Sequence, residues 1–290
     1  MFANFKNLVI KTSDININLI KGGKGYPILL LHGYPQTHAM WHKIAPKLAD
    51  NFTVIAPDLR GYGDSDKPQG TVNHDNYSKR IMAKDQVEVM TQLGYHKFYL
   101  VGHDRGARVA HRLTLDYPDK VKKLVLLDIA PTYEMYTQTD QEFATAYYHW
   151  FFLIQPFPFP ETLINQNSDY FLTHCLHSWG KNKSAFTEEV MEEYLRCFRD
   201  PQTIHGTCED YRAAATIDLE HDQSDINKKI ECPVLVLWGK KGVIEKKYDV
   251  RESWQKRGIN VQGKAINCGH FLPEEAPEET CQGIKEFLLS

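Results

Sequence analysis

The chain has 290 residues, of which 24% are charged and 42% hydrophobic, a composition ordinary for a globular protein with one large core. Lys+Arg 34 against Asp+Glu 37 leave a formal charge of −3, so the global balance makes no case for nucleic acid or an anionic membrane as partner. No apolar run approaches the roughly 20 residues that span a bilayer.

In chain order, Leu8 to Lys11 and Ile15 to Leu19 alternate apolar and polar residues around Ser13-Asp14, which predicts an antiparallel edge hairpin. Ile28 to Leu31 is apolar throughout, as for a strand covered on both faces, and runs into His32-Gly33-Tyr34-Pro35. That loop is a place from which backbone N–H groups can face a reacting centre, and Tyr34-Pro35 is a candidate cis bond. Met40 to Leu48 reads as a helix, Phe52 to Ala56 as a buried strand, Arg60 to Pro68 as a turn-rich loop, and Tyr77 to Leu93 as a helix. A strand at Lys97 to Leu100 precedes Gly102-His103-Asp104-Arg105-Gly106, and a helix follows at Val109 to Leu115. Val121 to Asp128 is the next strand. From Pro131 to about Asp218 no buried strand is evident, only helical stretches, many aromatic, and a proline-rich turn at Gln155 to Pro160. Strands resume at Pro233 to Gly239 and Asn260 to Ile266, with helices at Tyr248 to Arg257 and Pro273 to Leu289. Strands alternating with helices specify an α/β, doubly wound, mostly parallel sheet. The expected organisation is a core at 1–130 and 219–290 with a helical lid inserted at 131–218.

Strand, sharp turn and helix around Gly102 to Gly106 form a nucleophile elbow, with small residues two before and two after the exposed side chain. That side chain is Asp104. A carboxylate is ionised at neutral pH and suits displacement at a saturated carbon, leaving an enzyme ester to be hydrolysed. Asp128, at a strand's carboxyl end, and His270, in the loop Cys268-Gly269-His270-Phe271, complete the order nucleophile, acid, histidine found in α/β-hydrolase sheets. His270 would activate water and Asp128 would orient the imidazole. A capping role for Asp128 is the plain alternative, yet the loop after Trp238, Gly239 to Ile244, has no Asp in its first turns. Arg105 and Arg108, three apart at the start of the elbow helix, make an anion site that calls for a small anionic substrate held in fork geometry. Pairing of one Arg with a neighbouring Asp is the alternative there.

Gly102-His103-Asp104-Arg105-Gly106-Ala107-Arg108, His32 to His38, Leu127 to Glu134 and Cys208 to Ala213 together resemble the fluoroacetate (haloacetate) dehalogenases of the α/β-hydrolase fold, over nearly the whole chain. The resemblance implies that Asp104 attacks the halogen-bearing carbon, Arg105 and Arg108 hold the substrate carboxylate, and His270 with Asp128 drives ester hydrolysis. It further implies His149, Trp150 and Tyr211 as halide-binding residues, with Tyr34 and Trp179 as other pocket contacts, and a homodimer. Fluoride is a poor leaving group and needs donors that strengthen as charge develops, which suits an indole N–H.

No cofactor is expected. His111, His174, His177 and the six cysteines lack ligand spacing, so no metal is expected either. The cysteines form no C-x-x-C pair and the opening Met1 to Lys6 has no long apolar run, which reads as free thiols in a cytoplasmic protein. The expected activity is hydrolysis of a short 2-haloacid to the hydroxyacid and halide. An epoxide hydrolase using the same Asp and His with lid phenols (Tyr147, Tyr148 or Tyr211) is the alternative within this chemistry. A ligand receptor without catalysis is the alternative outside it.

Overall fold

The structure, a computed structural model, describes all 290 residues. One eight-stranded sheet organises it, with strands β1 (Lys6–Lys11), β2 (Asn16–Gly23), β3 (Tyr26–Leu31), β4 (Phe52–Pro57), β5 (Phe98–His103), β6 (Val121–Leu127), β7 (Val234–Gly239) and β8 (Val261–Ile266). Their order in space is β1-β2-β4-β3-β5-β6-β7-β8. The β1–β2 and β2–β4 pairs are antiparallel and the remaining pairs parallel. Every residue of β4 and β5 is buried, as is all of β3 after Tyr26, because helices cover both faces of the central strands. The edge strand β1 alternates, and leaves Val9 65% exposed.

β3 lies between β4 and β5, so the chain leaves β3 on one side and later returns on the other. A crevice opens outside the carboxyl ends of the strands where winding reverses in this way, and loops that end β3 and β5 line it. His32 to Gln36 follows β3 and Asp104 follows β5, which puts both at the switch point.

Between β6 and β7 the chain makes only helices, beginning at Thr132–Thr137 and ending at Ile217–Ser224. Residue 218, the expected end of the insertion, therefore falls within the last of them. Helix ends differ from the sequence reading where proline intervenes. The helix expected over Met40 to Leu48 is a 3-10 turn at His38–Trp41 and a separate turn at Ala45–Leu48, with Pro46 in the opening turn, where its missing N–H is harmless. The closing helix is likewise split into Leu272–Glu275 and Pro277–Leu289, since a residue before proline is driven out of the helical region. A short helix at Val243–Lys247, not expected, precedes the one at Val250–Gln255. The helix expected from Tyr77 begins at Lys79, where the Ser78 side chain accepts from the Ile81 N–H and caps it. No helix is long and apolar enough to cross a membrane.

Candidate active site

Asp104 opens the helix Asp104–Asp116 directly after β5, with φ at +46°. A left-handed, non-glycine residue costs about 1–3 kcal/mol and persists only where its surroundings enforce it. Here the enforcement comes from close packing on both sides of the turn. A Cβ on Gly106 would lie 2.3 Å from the His32 carbonyl oxygen, and one on Gly102 would lie 2.6 Å from Ala107 Cα. With those side chains absent, the helix sits against β3 and lifts Asp104 into the crevice. The Tyr34 N–H donates to Asp104 Oδ1 at 3.0 Å, from the loop after β3. His32 shapes that loop, its Nδ1 against the Gly33 carbonyl and its Nε2 accepting from the Leu59 N–H, both at 3.0 Å. The Tyr34-Pro35 bond is cis, as the sequence suggests.

His270 Nδ1 donates to Asp128 Oδ2 at 2.5 Å, and Asp128 Oδ1 accepts from the Gly239 N–H at 2.8 Å. His270 Nε2 then faces Asp104 Oδ2 at 3.9 Å, too far for a hydrogen bond. Burial disfavours a charged imidazole, but the bond to Asp128 and the charges of Asp128 and Asp104 prevail and hold the His270 pKa above 6.5. Burial also opposes ionisation of Asp104. The nearby His270, Arg108 and Arg105 outweigh it, and the carboxyl sits below the usual range. Asp104 is therefore anionic and aligned with an oriented imidazole.

The two arginines differ in their bonding. Arg105, with no exposed surface, directs Nε to Asp210 Oδ2 and Nη2 to Asp210 Oδ1, both at 2.9 Å. Its planar fork is thus not open to a substrate carboxylate, contrary to the expectation; only Nη1 is buried without a partner. Lys79 Nζ and the Tyr62 hydroxyl also donate to Asp210. Arg108 reaches only neutral acceptors, the Ala130 carbonyl at 3.2 Å, Thr132 Oγ1 at 2.8 Å and Met135 Sδ at 3.1 Å, and its Nε has no partner. The guanidinium carbons lie 4.1 Å from the Tyr211 ring centre for Arg105 and 4.7 Å from that of Trp150 for Arg108. Burial and the charge of Arg105 lower the Arg108 pKa.

Further donors surround these groups. The Tyr211 and Tyr34 hydroxyls and His149 Nδ1 are buried without hydrogen-bond partners. Burial pushes the Tyr211 hydroxyl well above its ordinary value and brings His149 down to about 3, so the phenol stays protonated and the imidazole neutral. The aromatic rings form one wall: His149 lies 4.2 Å from Trp179 and 5.7 Å from Tyr211, while Trp179 is 6.1 Å from both Tyr34 and His270. Unpaired buried donors are rare because each forfeits its bonds to water. Arg105 Nη1, Arg108 Nε, Tyr211, Tyr34 and His149 Nδ1 together describe a cavity suited to a small anion beside Asp104.

Charge and ring contacts link all ten residues singled out from the sequence into one cluster that includes Asp104. Sequence reasoning did not find Asp210, which holds Arg105, Lys79, which donates to the same carboxylate, or Glu275, which caps the loop carrying His270. Asp210 stands next to Tyr211 in a stretch already noted, and that adjacency was the available signal. No group of three or more His, Cys, Asp and Glu side chains is arranged to hold a metal ion.

Residues 26–277 match the family described as alpha/beta hydrolase fold. The chain is 45% identical over 289 residues to a fluoroacetate dehalogenase from Burkholderia sp, covering 99% of this chain and 95% of that protein. It is 36% identical over 269 residues to a soluble epoxide hydrolase from Corynebacterium sp. (strain C12), with 90% of each covered. Among solved structures, an alpha/beta hydrolase from Nostoc sp PCC 7120 superposes with a TM-score of 0.99 at 66% identity, covering 99% of each chain. Sheet order, the elbow with its Asp, and near full-length identity to a dehalogenase agree: the chain is a hydrolase of the α/β-hydrolase fold and belongs to its fluoroacetate (haloacetate) dehalogenase family.

Proposed function

We propose that this enzyme hydrolyses short 2-haloacids, fluoroacetate or chloroacetate, to glycolate and halide through an ester on Asp104. The observation that carries this reading is the anionic Asp104 at the elbow, 3.9 Å from His270 and ringed by buried donors that have no protein acceptor. In the first step an Asp104 oxygen attacks the halogen-bearing carbon; the new C–O bond forms as the carbon–halogen bond breaks and halide leaves with the electron pair. Arg108 Nε and Arg105 Nη1 hold the substrate carboxylate, one contact from each guanidinium. His149, Trp150 and Tyr211 donate to the departing halide, and that help grows with its charge. Tyr34 and Trp179 close the pocket, and the helices between β6 and β7 act as a lid.

In the second step neutral His270 takes a proton from water at Nε2, and the resulting hydroxide attacks the ester carbonyl of Asp104. The Tyr34 N–H, already aimed at Oδ1, steadies the oxyanion. Collapse expels the glycolate alkoxide, which receives the proton from His270; Asp104, now with one oxygen from water, releases water's second proton to solvent and is again a carboxylate. Asp128 keeps the imidazole oriented and balances its transient charge. A single turnover in heavy-oxygen water should leave label in Asp104; label confined to the product would falsify the ester. Ion chromatography of fluoride and chloride released from matched substrates identifies the halogen that the enzyme takes.

A second reading, epoxide hydrolysis, draws on the Tyr211 hydroxyl, a buried protonated phenol with no partner that is suited to protonating an opening epoxide oxygen. Against it, Arg108, a buried guanidinium bonded only to neutral acceptors, gives a neutral substrate little. Turnover of styrene oxide exceeding that of chloroacetate would favour this second reading.

A further inference from the structure

Glu275 ends the short helix that follows His270, and the mechanism above gives it no task. Its carboxylate accepts three backbone N–H bonds. Oε1 takes that of Phe271 at 3.0 Å, while Oε2 takes those of Gly269 at 3.0 Å and Lys181 at 2.7 Å. Gly269 and Phe271 flank His270 on either side; Lys181 lies in the bend two residues after Trp179, which ends the helix Ser168–Trp179. The His270 N–H itself donates to the Trp179 carbonyl at 3.3 Å, and its own carbonyl faces His103 Nε2 at 2.8 Å. Space at this junction is fitted closely, since a Cβ on Gly269 would lie 2.8 Å from both Glu275 Oε1 and the Lys181 nitrogen.

We infer that Glu275 is a positioning residue for ester hydrolysis: it clasps the loop that carries His270 to the bend at Gly180–Lys181 that follows the helix Ser168–Trp179. This inference rests on the function proposed above. The imidazole is fixed at Nδ1 by Asp128, but its backbone leaves the end of β8 in an irregular loop, where the Gly269 and Phe271 amides bond to Glu275 and the His270 amide reaches only the Trp179 carbonyl at 3.3 Å. A carboxylate with acceptors on both oxygens fastens that loop on both sides of the histidine. Glutamine supplies an acceptor at one oxygen only and turns an NH2 donor toward the N–H on the other side. Displacement of halide by Asp104 does not need His270, so loosening the clasp should slow hydrolysis and spare the first step.

The test compares Glu275→Ala, Glu275→Gln and His270→Asn with the unaltered enzyme, using chloroacetate. Single-turnover chloride release from both Glu275 variants should stay within about twofold of the unaltered enzyme, while steady-state turnover falls on the order of 10- to 100-fold, the range that misplacement of a reacting group produces. Intact mass should show the Asp104 ester accumulating, as in His270→Asn. Parallel losses in both steps with no ester, or unaltered steady-state turnover, overturn the inference. A second arm needs no substrate: the amides of Gly269, Phe271 and Lys181 should lose hydrogen-exchange protection in Glu275→Ala, and unchanged protection also overturns it. Failure of the unaltered enzyme to release halide from any haloacid would sink the proposed function, leaving the amide arm to decide the clasp.

Discussion

Protonation of His270 moves activity and stability in opposite directions. Its pKa in the folded chain lies above the ordinary 6.5, so the charged form contributes stability that is complete below about pH 6.5 and is lost as pH rises through the folded value. Ester hydrolysis needs the neutral form and should rise through that same window. Rate profiles and melting temperatures measured together across it should therefore cross, and His270→Asn should flatten both; a stability curve that climbs there would contradict the ion pair with Asp128. Asp104→Asn should lower halide release on the order of 10⁶-fold, the scale seen when a nucleophile is removed. His149 and Trp150 stand at the position proposed for the departing halide. Replacing either should reduce fluoroacetate turnover on the order of 10²-fold and bromoacetate turnover less, because bromide leaves with less help; equal losses measured by ion chromatography would remove them from that role. Arg108→Leu should raise KM for a haloacid about 10- to 100-fold, the worth of one charged hydrogen bond of about 1.5–3 kcal/mol.

At the scale of elements, the elbow depends on how closely the helix Asp104–Asp116 packs against β3. Gly106→Ala places a methyl against the carbonyls of Leu31 and His32 and should destabilise the fold by about 1–3 kcal/mol, as overpacking does. Activity should fall further than stability, because Asp104 shifts with its helix; urea midpoints set against turnover would separate the two. The helix Pro201–Ala215 brings Asp210 against Arg105 and Lys79, which are all but fully buried. Asp210→Asn strips a buried charge from two cations and should cost about 3–5 kcal/mol. Such a variant retaining its melting temperature would show that water reaches this cluster.

Across the whole molecule, one cluster of 72 buried apolar residues includes Leu100 and Leu126 of the sheet together with Trp150, Leu172 and Tyr194 of the helical segment. Shared burial of this kind couples the two parts, and the candidate active site lies at their seam. Urea unfolding followed by tryptophan fluorescence and by far-ultraviolet circular dichroism should give coincident transitions. Separate midpoints would make the helices between β6 and β7 an independently stable unit.

The sequence by itself determined the sheet, the elbow and the chain positions of Asp104, Asp128 and His270. Continuous apolar runs such as Ile28 to Leu31 mark parallel strands, and parallel strands bring their carboxyl ends to one edge whatever the loops do. Small residues at 102 and 106 mark the turn for a local steric reason. Proline-split helices such as Leu272–Glu275 were less legible, since the apolar spacing continues across the break. Only the tertiary structure decided how each guanidinium is bonded and what fastens the His270 loop. Arg105 meets Asp210 and Glu275 meets Lys181 across long stretches of chain, and pairings of that kind leave no periodic trace because they arise from the packing of separate elements.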